Sequence, residues 1–162
     1  MENYIVINGK RAELTDEQLK ALGIYPEKDV NPFERMNEGQ QYYYITSHNS
    51  VISDTERNAV LDEMRYAHAN YCNNADMLFQ QMCRESLNRQ LWRFSMQNGG
   101  NDLGSDKYYI ATDNVHGRLN VYVHSEVQAI GLVYFKTCDL AQQAISAIVK
   151  PFMKAHPEFK LL

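Results

Sequence analysis

Two stretches decide the fold: Val133-Tyr134-Phe135-Lys136-Thr137-Cys138-Asp139-Leu140 and, earlier in the chain, Asn70-Tyr71-Cys72-Asn73-Asn74-Ala75-Asp76-Met77. In each stretch an apolar strand ends at a residue that can cap a helix, Asn74 or Thr137. A carboxylate then lies in the first helical turn, Asp76 or Asp139, where the positive end of the helix dipole favours it. The two stretches therefore predict the same strand-to-helix junction twice.

A second pair of motifs precedes these junctions in the same order. Tyr43-Tyr44-Ile45 recurs as Tyr108-Tyr109-Ile110, and a polar turn follows each copy. Two motif blocks in the same order at similar spacing are typical of an internal duplication. We therefore predict an α+β fold with antiparallel sheet in two strand–strand–helix repeats, at residues 41–100 and 101–162.

The N-terminal residues predict a small β-hairpin–helix module. Residues 4–7 read as a strand, and Asn8-Gly9 is typical of a two-residue hairpin turn that needs positive φ at both positions. Thr15 and Gln18 have the spacing of a capping box at the start of a short helix. The expected organisation is this module at residues 1–23, followed by a linker at 24–40.

Apolar spacing predicts the remaining elements. Steps of three, one and four between apolar residues indicate a long helix from about Ala75 to Gln97. A second helix begins at Asp139, and Pro151 either kinks it or opens a further turn. Residues 130–135 form a nearly continuous apolar run, which is typical of a central strand. Residues 58–69 are more polar and fit a helix.

Charge and hydropathy restrict the class of protein. The formal net charge is −4 at pH 7, whereas a general nucleic-acid binder recruits phosphates with a basic surface. The N-terminus lacks a signal-peptide pattern, and no apolar stretch reaches the roughly 18 residues that span a bilayer. These features predict a cytoplasmic protein without a membrane partner, either a monomer or a homodimer.

The three cysteines predict free thiols rather than a metal site. Cys83 and Cys138 lie in apolar helical contexts, which favours burial of both thiols. His68, Cys72 and Cys83 provide only three ligands, although zinc usually takes four in a tight constellation. We therefore expect no metal and no cofactor.

Histidine–carboxylate pairs are the candidate acid–base groups. Asp113 with His116, and His124 with Glu126, lie close together in sequence. General acid–base catalysis needs such a pair to be positioned in a pocket, and surface residues of turns and strands are the simpler interpretation. We therefore predict no catalytic residues, with a small enzyme as an alternative.

Tyrosines on the sheets form the first candidate binding surface. Tyr44 and Tyr109 fall on the strand face opposite the predicted core, near Tyr122 and His124. Such a face stacks nucleotide bases in sheet-based RNA binders, anchors a protein interface, or simply flanks the core. Because the net charge is negative, a protein partner is favoured over a nucleic acid.

The long helix provides the second candidate binding surface. Arg89 and Arg93 lie one turn apart, with Trp92 beside them. Most such faces are solvated, but tryptophan and arginine also dominate the energy of protein interfaces. If Trp92 is exposed, this helix is a contact surface.

The chain resembles a group of small bacteriophage and prophage proteins of uncharacterised activity. The resemblance rests on residues 31–35 (Asn-Pro-Phe-Glu-Arg), on Gly39 and Tyr42-Tyr43-Tyr44-Ile45, and on Tyr134-Phe135-Lys136-Thr137 in the second repeat. The first repeat departs from the last motif, with Tyr71-Cys72-Asn73-Asn74. The resemblance implies a mobile-element origin and a non-enzymatic protein that binds and inhibits a host or defence protein, in the manner of an anti-CRISPR protein. A nucleic-acid or nucleotide binder is the alternative.

Overall fold

The computed structural model describes residues 4–7, 10–15, 18, 31–113, 118–125 and 129–161. The chain divides into two compact units, Met1–Glu34 and Arg35–Leu162. In the described parts of the chain, no helix is long and apolar enough to cross a membrane.

The predicted N-terminal hairpin is present in the first unit. Strands β1 (Tyr4–Ile7) and β2 (Lys10–Glu13) pair antiparallel. The capping box also forms, because the Thr15 amide donates to Gln18 Oε1 at 2.9 Å and the Gln18 amide donates to Thr15 Oγ1 at 3.3 Å. The Asn8-Gly9 turn and the helix predicted beyond Gln18 lie outside the described residues.

The first repeat consists of a hairpin, a short helix and a long helix. Strands β3 (Gln41–Ile45) and β4 (Val51–Thr55) pair antiparallel, and helix α1 (Val60–Ala67) follows. Cys72 then returns to form a bridge with Tyr43. Helix α2 spans Ala75–Gln97, as predicted, and Asn74 caps it by accepting from the Met77 amide at 3.0 Å.

The second repeat has the same order of strands and helix. Strands β5 (Lys107–Asp113), β6 (Arg118–His124) and β7 (Tyr134–Phe135) form a sheet in the order β6-β5-β7. Thr137 caps helix α3 (Cys138–Ala144), which continues through a π-helical turn at Ile145–Val149 into helix α4 (Lys150–Ala155). Pro151 lies in the first turn of α4 and has no amide to donate to the preceding turn, directly after the point where the helix widens into the π-helical turn.

The two repeats correspond at the strand-to-helix junction. Phe135 pairs with Tyr108 in the same way that Cys72 pairs with Tyr43, and a capped helix follows two residues after each. The α+β fold with repeated strand–strand–helix units is therefore confirmed.

Two expectations about the second repeat are wrong. The run 130–135 is not a central strand, because only its last two residues pair, at the sheet edge, and Gly131 turns the chain with a φ of +87°. Ile130 is fully exposed as a result. Cys138 is exposed, because it occupies the first position of α3, whereas Cys72 and Cys83 are buried.

One hydrophobic core joins the two repeats. Helix α2 contributes Met82, Leu87 and Leu91, and residues of β7, α3, the π-helical turn and α4 pack around them. Ile45 and Ile110 reach this core from the inner faces of the two sheets. The outer faces of both sheets are therefore left for other contacts.

Candidate functional site

Helix α1 covers the outer sheet face of the first repeat. The Arg65 guanidinium lies 3.5 Å from the centre of the Tyr44 ring, and Tyr42 is buried in a stack against Tyr71 with ring centres 4.0 Å apart. Tyr44 is consequently half-buried. Helix α1 thus places Arg65 against the Tyr44 ring, a contact that the strand pattern did not reveal, and a binding role for Tyr44 stays a prediction.

Polar side chains hold α1 to this sheet. The Tyr42 hydroxyl donates to Asp62 at 2.6 Å, and Arg65 donates to Asp54 at 2.8 Å and to the Tyr42 hydroxyl. Burial and the bond to Asp62 raise the pKa of Tyr42 to about 12. The inner face of α1 is thus its polar face.

A second polar cluster surrounds Glu56, which is completely buried. Its carboxylate accepts from Arg35 at 3.1 Å, from the Tyr71 hydroxyl at 2.8 Å and from the Asn58 amide at 2.8 Å. The bonds from Arg35 and Tyr71 hold the pKa of Glu56 below its usual value, although burial opposes them. Because both carboxylate oxygens of Glu56 accept hydrogen bonds from within the protein, this cluster stabilises the first repeat.

The second repeat carries an aromatic surface, which we call the tyrosine face: Tyr109, Tyr122, His124 and Tyr134. Tyr122 is exposed, Tyr109 and His124 are half-buried, and Tyr134 is buried. Tyr109 lies at its centre, with ring centres of Tyr122 at 5.7 Å and His124 at 4.7 Å. Tyr134 lies on the other side of Tyr109, and its hydroxyl is 3.1 Å from His124 Nδ1. The structure thus brings together Tyr109, Tyr122 and His124, which the sequence predicted as binding residues, and places Tyr134 beside them.

Strand alternation could have identified Tyr134. It pairs directly with Tyr109 across β5 and β7, so the two side chains share one sheet face. Lys107 pairs with His124 and Arg118 with Asp113, which places one cation towards each end of the same face. The tyrosine face therefore has an aromatic centre, with Lys107 at one end and the pair of Arg118 and Asp113 at the other.

A third surface lies on α2 and contains Arg89, Trp92 and Arg93, which we call the tryptophan patch. Trp92 is 58% exposed, and both arginines are exposed. Arg89 donates to Asn49 at 2.8 Å and lies 3.6 Å from Glu85, beside a cleft of about 590 Å³. The structure thus meets the condition under which the sequence predicted a contact surface here.

A fourth surface was missed by the sequence reasoning. Val60, Leu61 and Met64 of α1 are 72%, 61% and 52% exposed, and we call them the apolar helix face. Val60 and Met64 lie one helical turn apart beside Leu61, and the buried Asp62 lies on the other side of the helix. The pattern was present in the sequence, but an amphipathic helix normally turns its apolar side inward.

The candidate acid–base groups are not assembled into a described site. His116 and Glu126 lie outside the described residues, and the described partner of His124 is the phenol of Tyr134. Within the ranges that the structure covers, no cluster of His, Cys, Asp and Glu side chains could hold a metal ion. No protein-family model, curated protein or solved structure matches the chain.

Proposed function

We propose that the protein is a phage-type, non-enzymatic binding protein that acts in the cytoplasm of a bacterial host and inhibits a host or defence protein. A CRISPR effector is the specific candidate. The observation that carries the proposal is Trp92, the only tryptophan of the chain, which is 58% exposed in the C-terminal third of α2. The tryptophan patch is the contact surface.

The composition of the patch supports binding to protein. Arg89, Trp92 and Arg93 are spaced by three and four residues, so their side chains share one side of α2. Tryptophan and arginine are enriched among the residues that dominate interface energies. Burying the indole on a partner would contribute roughly 2 kcal/mol from its apolar area alone.

The helix presents the patch in a fixed position. Leu87 and Leu91 anchor the opposite side of α2 in the core, and Asn49 holds Arg89 at 2.8 Å. A preformed patch loses little conformational entropy when it binds. The two guanidinium groups favour a partner with carboxylates beside a pocket that accepts an aromatic ring.

Capture from bacterial lysate tests the proposal. The full chain should recover one dominant protein from cells that contain defence proteins, and nuclease treatment should not change the recovery. Trp92→Ala should weaken binding of that protein 10- to 100-fold, the effect of losing a hot-spot residue. Gln90→Ala, an exposed residue of the same helix, is the matched control. Equal binding by the Trp92 variant would exclude the patch.

Nucleic-acid binding through the tyrosine face is the second candidate. It is favoured by the Tyr109–Tyr122 ring stack, with an interplanar angle of 28° and Lys107 at one margin. Base stacking on such rings tolerates any sequence. In the same experiment, recovery that nuclease abolishes, together with oligonucleotide affinity that falls steeply with salt, would support this candidate instead.

A further inference from the structure

Exposed large apolar side chains concentrate in two places among the described residues. One is α1, with Val60, Leu61, Met64 and Tyr66. The other is the second repeat, where Tyr122 lies on the tyrosine face, Val123 lies on the opposite face of β6, and Ile130 and Leu132 lie in the segment before β7. Contiguous exposed apolar side chains commonly mark interaction sites on soluble proteins.

The two repeats differ in whether a helix covers the outer face of the sheet. In the first repeat, residues 56–71 connect the hairpin to the bridging Cys72 and form α1, which covers the outer sheet face. In the second repeat the shorter segment 125–133 makes the same connection, and its described residues contain no helix. The second sheet thus lacks the helix that covers its counterpart, while α1 has an apolar side with no sheet against it.

We infer that the two surfaces meet in a dimer, with the apolar helix face of each chain packed on the tyrosine face of the other. Each α1 would then lie between two sheets, its polar side on its own β3–β4 sheet and its apolar side on the partner's β6-β5-β7 sheet. Charge at one margin agrees with this arrangement, because Glu63 is exposed beside the apolar helix face and Lys107 flanks the tyrosine face at the end away from Asp113 and Arg118.

Size also favours a reciprocal pair of chains. Specific, stable interfaces bury at least about 1,200 Å² of total area. A two-fold dimer makes the contact twice, which doubles the area that a single contact would bury. The dimer is independent of the tryptophan patch and of the partner proposed for it.

Light scattering coupled to size-exclusion chromatography tests the dimer on the full chain. Wild-type protein should have about twice the 18.8 kDa mass of one chain at micromolar concentration. Leu61→Glu should raise the dimer dissociation constant at least 10-fold, since it places a carboxylate against the tyrosine face. Tyr122→Lys should do the same from the other side. Met77→Glu, at an exposed apolar position on α2, is the matched control and should remain dimeric.

Mixing the two single variants identifies which surfaces meet. The mixed dimer has one intact helix–sheet contact and one in which the new carboxylate faces the new ammonium group, so an equimolar mixture should dimerise more tightly than either variant alone. If Tyr122→Lys disturbs the fold by circular dichroism, Ile130→Lys replaces it, because Ile130 is fully exposed and the substitution keeps the ammonium group that the mixture needs.

Three results would overturn the inference. They are a wild-type chain that remains monomeric at 100-fold higher concentration, a dimer that both variants leave unchanged, and a mixture that stays as monomeric as its components. A chain that stays monomeric and binds single-stranded oligonucleotide through the tyrosine face would likewise overturn the dimer.

Discussion

At the scale of single residues, two buried carboxylates organise the first repeat. Asp62 accepts from the Tyr42 hydroxyl and from the amides of Arg57 and Ala59, and Glu56 lies in the neighbouring cluster with Arg35. Hydrogen bonds to the charged form hold the pKa of both carboxyl groups below their ordinary values, with the Tyr42 hydroxyl the main cause for Asp62 and Arg35 for Glu56. Their ionisation is therefore coupled to folding.

The coupling predicts a loss of stability in acid. Because the folded-state pKa values lie below the unfolded ones, the two groups stabilise the fold above about pH 4 and lose that contribution as pH falls through the folded values. Urea midpoints measured from pH 7 to pH 3 should fall most steeply below about pH 4.

Asp62→Asn provides the matched variant for that measurement. It should lower the free energy of unfolding at pH 7 by about 2 kcal/mol, since it disturbs a buried, fully hydrogen-bonded group. It should also flatten the dependence on pH below about pH 4, because one titrating group is gone. An unchanged pH dependence would show that Asp62 is not coupled to folding.

At the scale of elements, the end of α2 is fixed to the second sheet. The buried Ser95 hydroxyl donates to the Tyr134 carbonyl, and the Gly100 amide donates to the Ser95 carbonyl at 2.8 Å. A Cβ atom on Gly100 would lie 2.1 Å from Ser95 Oγ and 2.8 Å from its backbone. The chain therefore needs glycine here for close approach, at the point where one repeat joins the other.

Gly100→Ala should destabilise the protein by about 2–3 kcal/mol, because the backbone of α2 must shift to admit the methyl group. Gly104→Ala is the control: it has no neighbour within 4 Å of an added Cβ, and its effect should stay within about 0.5 kcal/mol. Chemical denaturation of both variants measures the difference, and equal effects would contradict this account of the junction.

Elements with local signals were predicted with the correct boundaries. Asn74 starts α2 and Asn98-Gly99-Gly100 ends it, so the helix spans the predicted Ala75–Gln97. Residues 130–135 failed as a strand because Gly131 turns the chain within the apolar run. The polar composition of residues 58–69 fitted a helix without fixing the bounds of α1, and no local signal shows that its polar side faces a sheet.

At the scale of the whole molecule, the repeats depend on one another. Helix α2 belongs to the first repeat in sequence, yet Leu87 and Leu91 share a buried cluster with Phe135, Val149 and Phe152 of the second. Each repeat would expose much of this cluster if separated. The unit Arg35–Leu162 should consequently unfold as one cooperative body.

A fragment of residues 101–162 tests this dependence. Without α2 it lacks the residues that cover Phe135 and Phe152, so it should show no cooperative urea transition by circular dichroism. The full chain, measured in parallel, should give coincident transitions by circular dichroism and Trp92 fluorescence. A cooperative transition in the fragment would mean that the second repeat folds alone.

Caps, turns and apolar spacing act over a few neighbouring residues, so local sequence predicts the α+β class, the order of strands and helices, and the starts of α2 and α3. It also identified Tyr109, Tyr122, His124 and the tryptophan patch as candidates. Only the tertiary structure decided which sheet face is covered. The exposure of a side chain depends on contacts between residues that are distant in sequence, such as the contact of Arg65 with the Tyr44 ring. This contact holds the polar side of α1 against the sheet, so the apolar side of the helix is exposed.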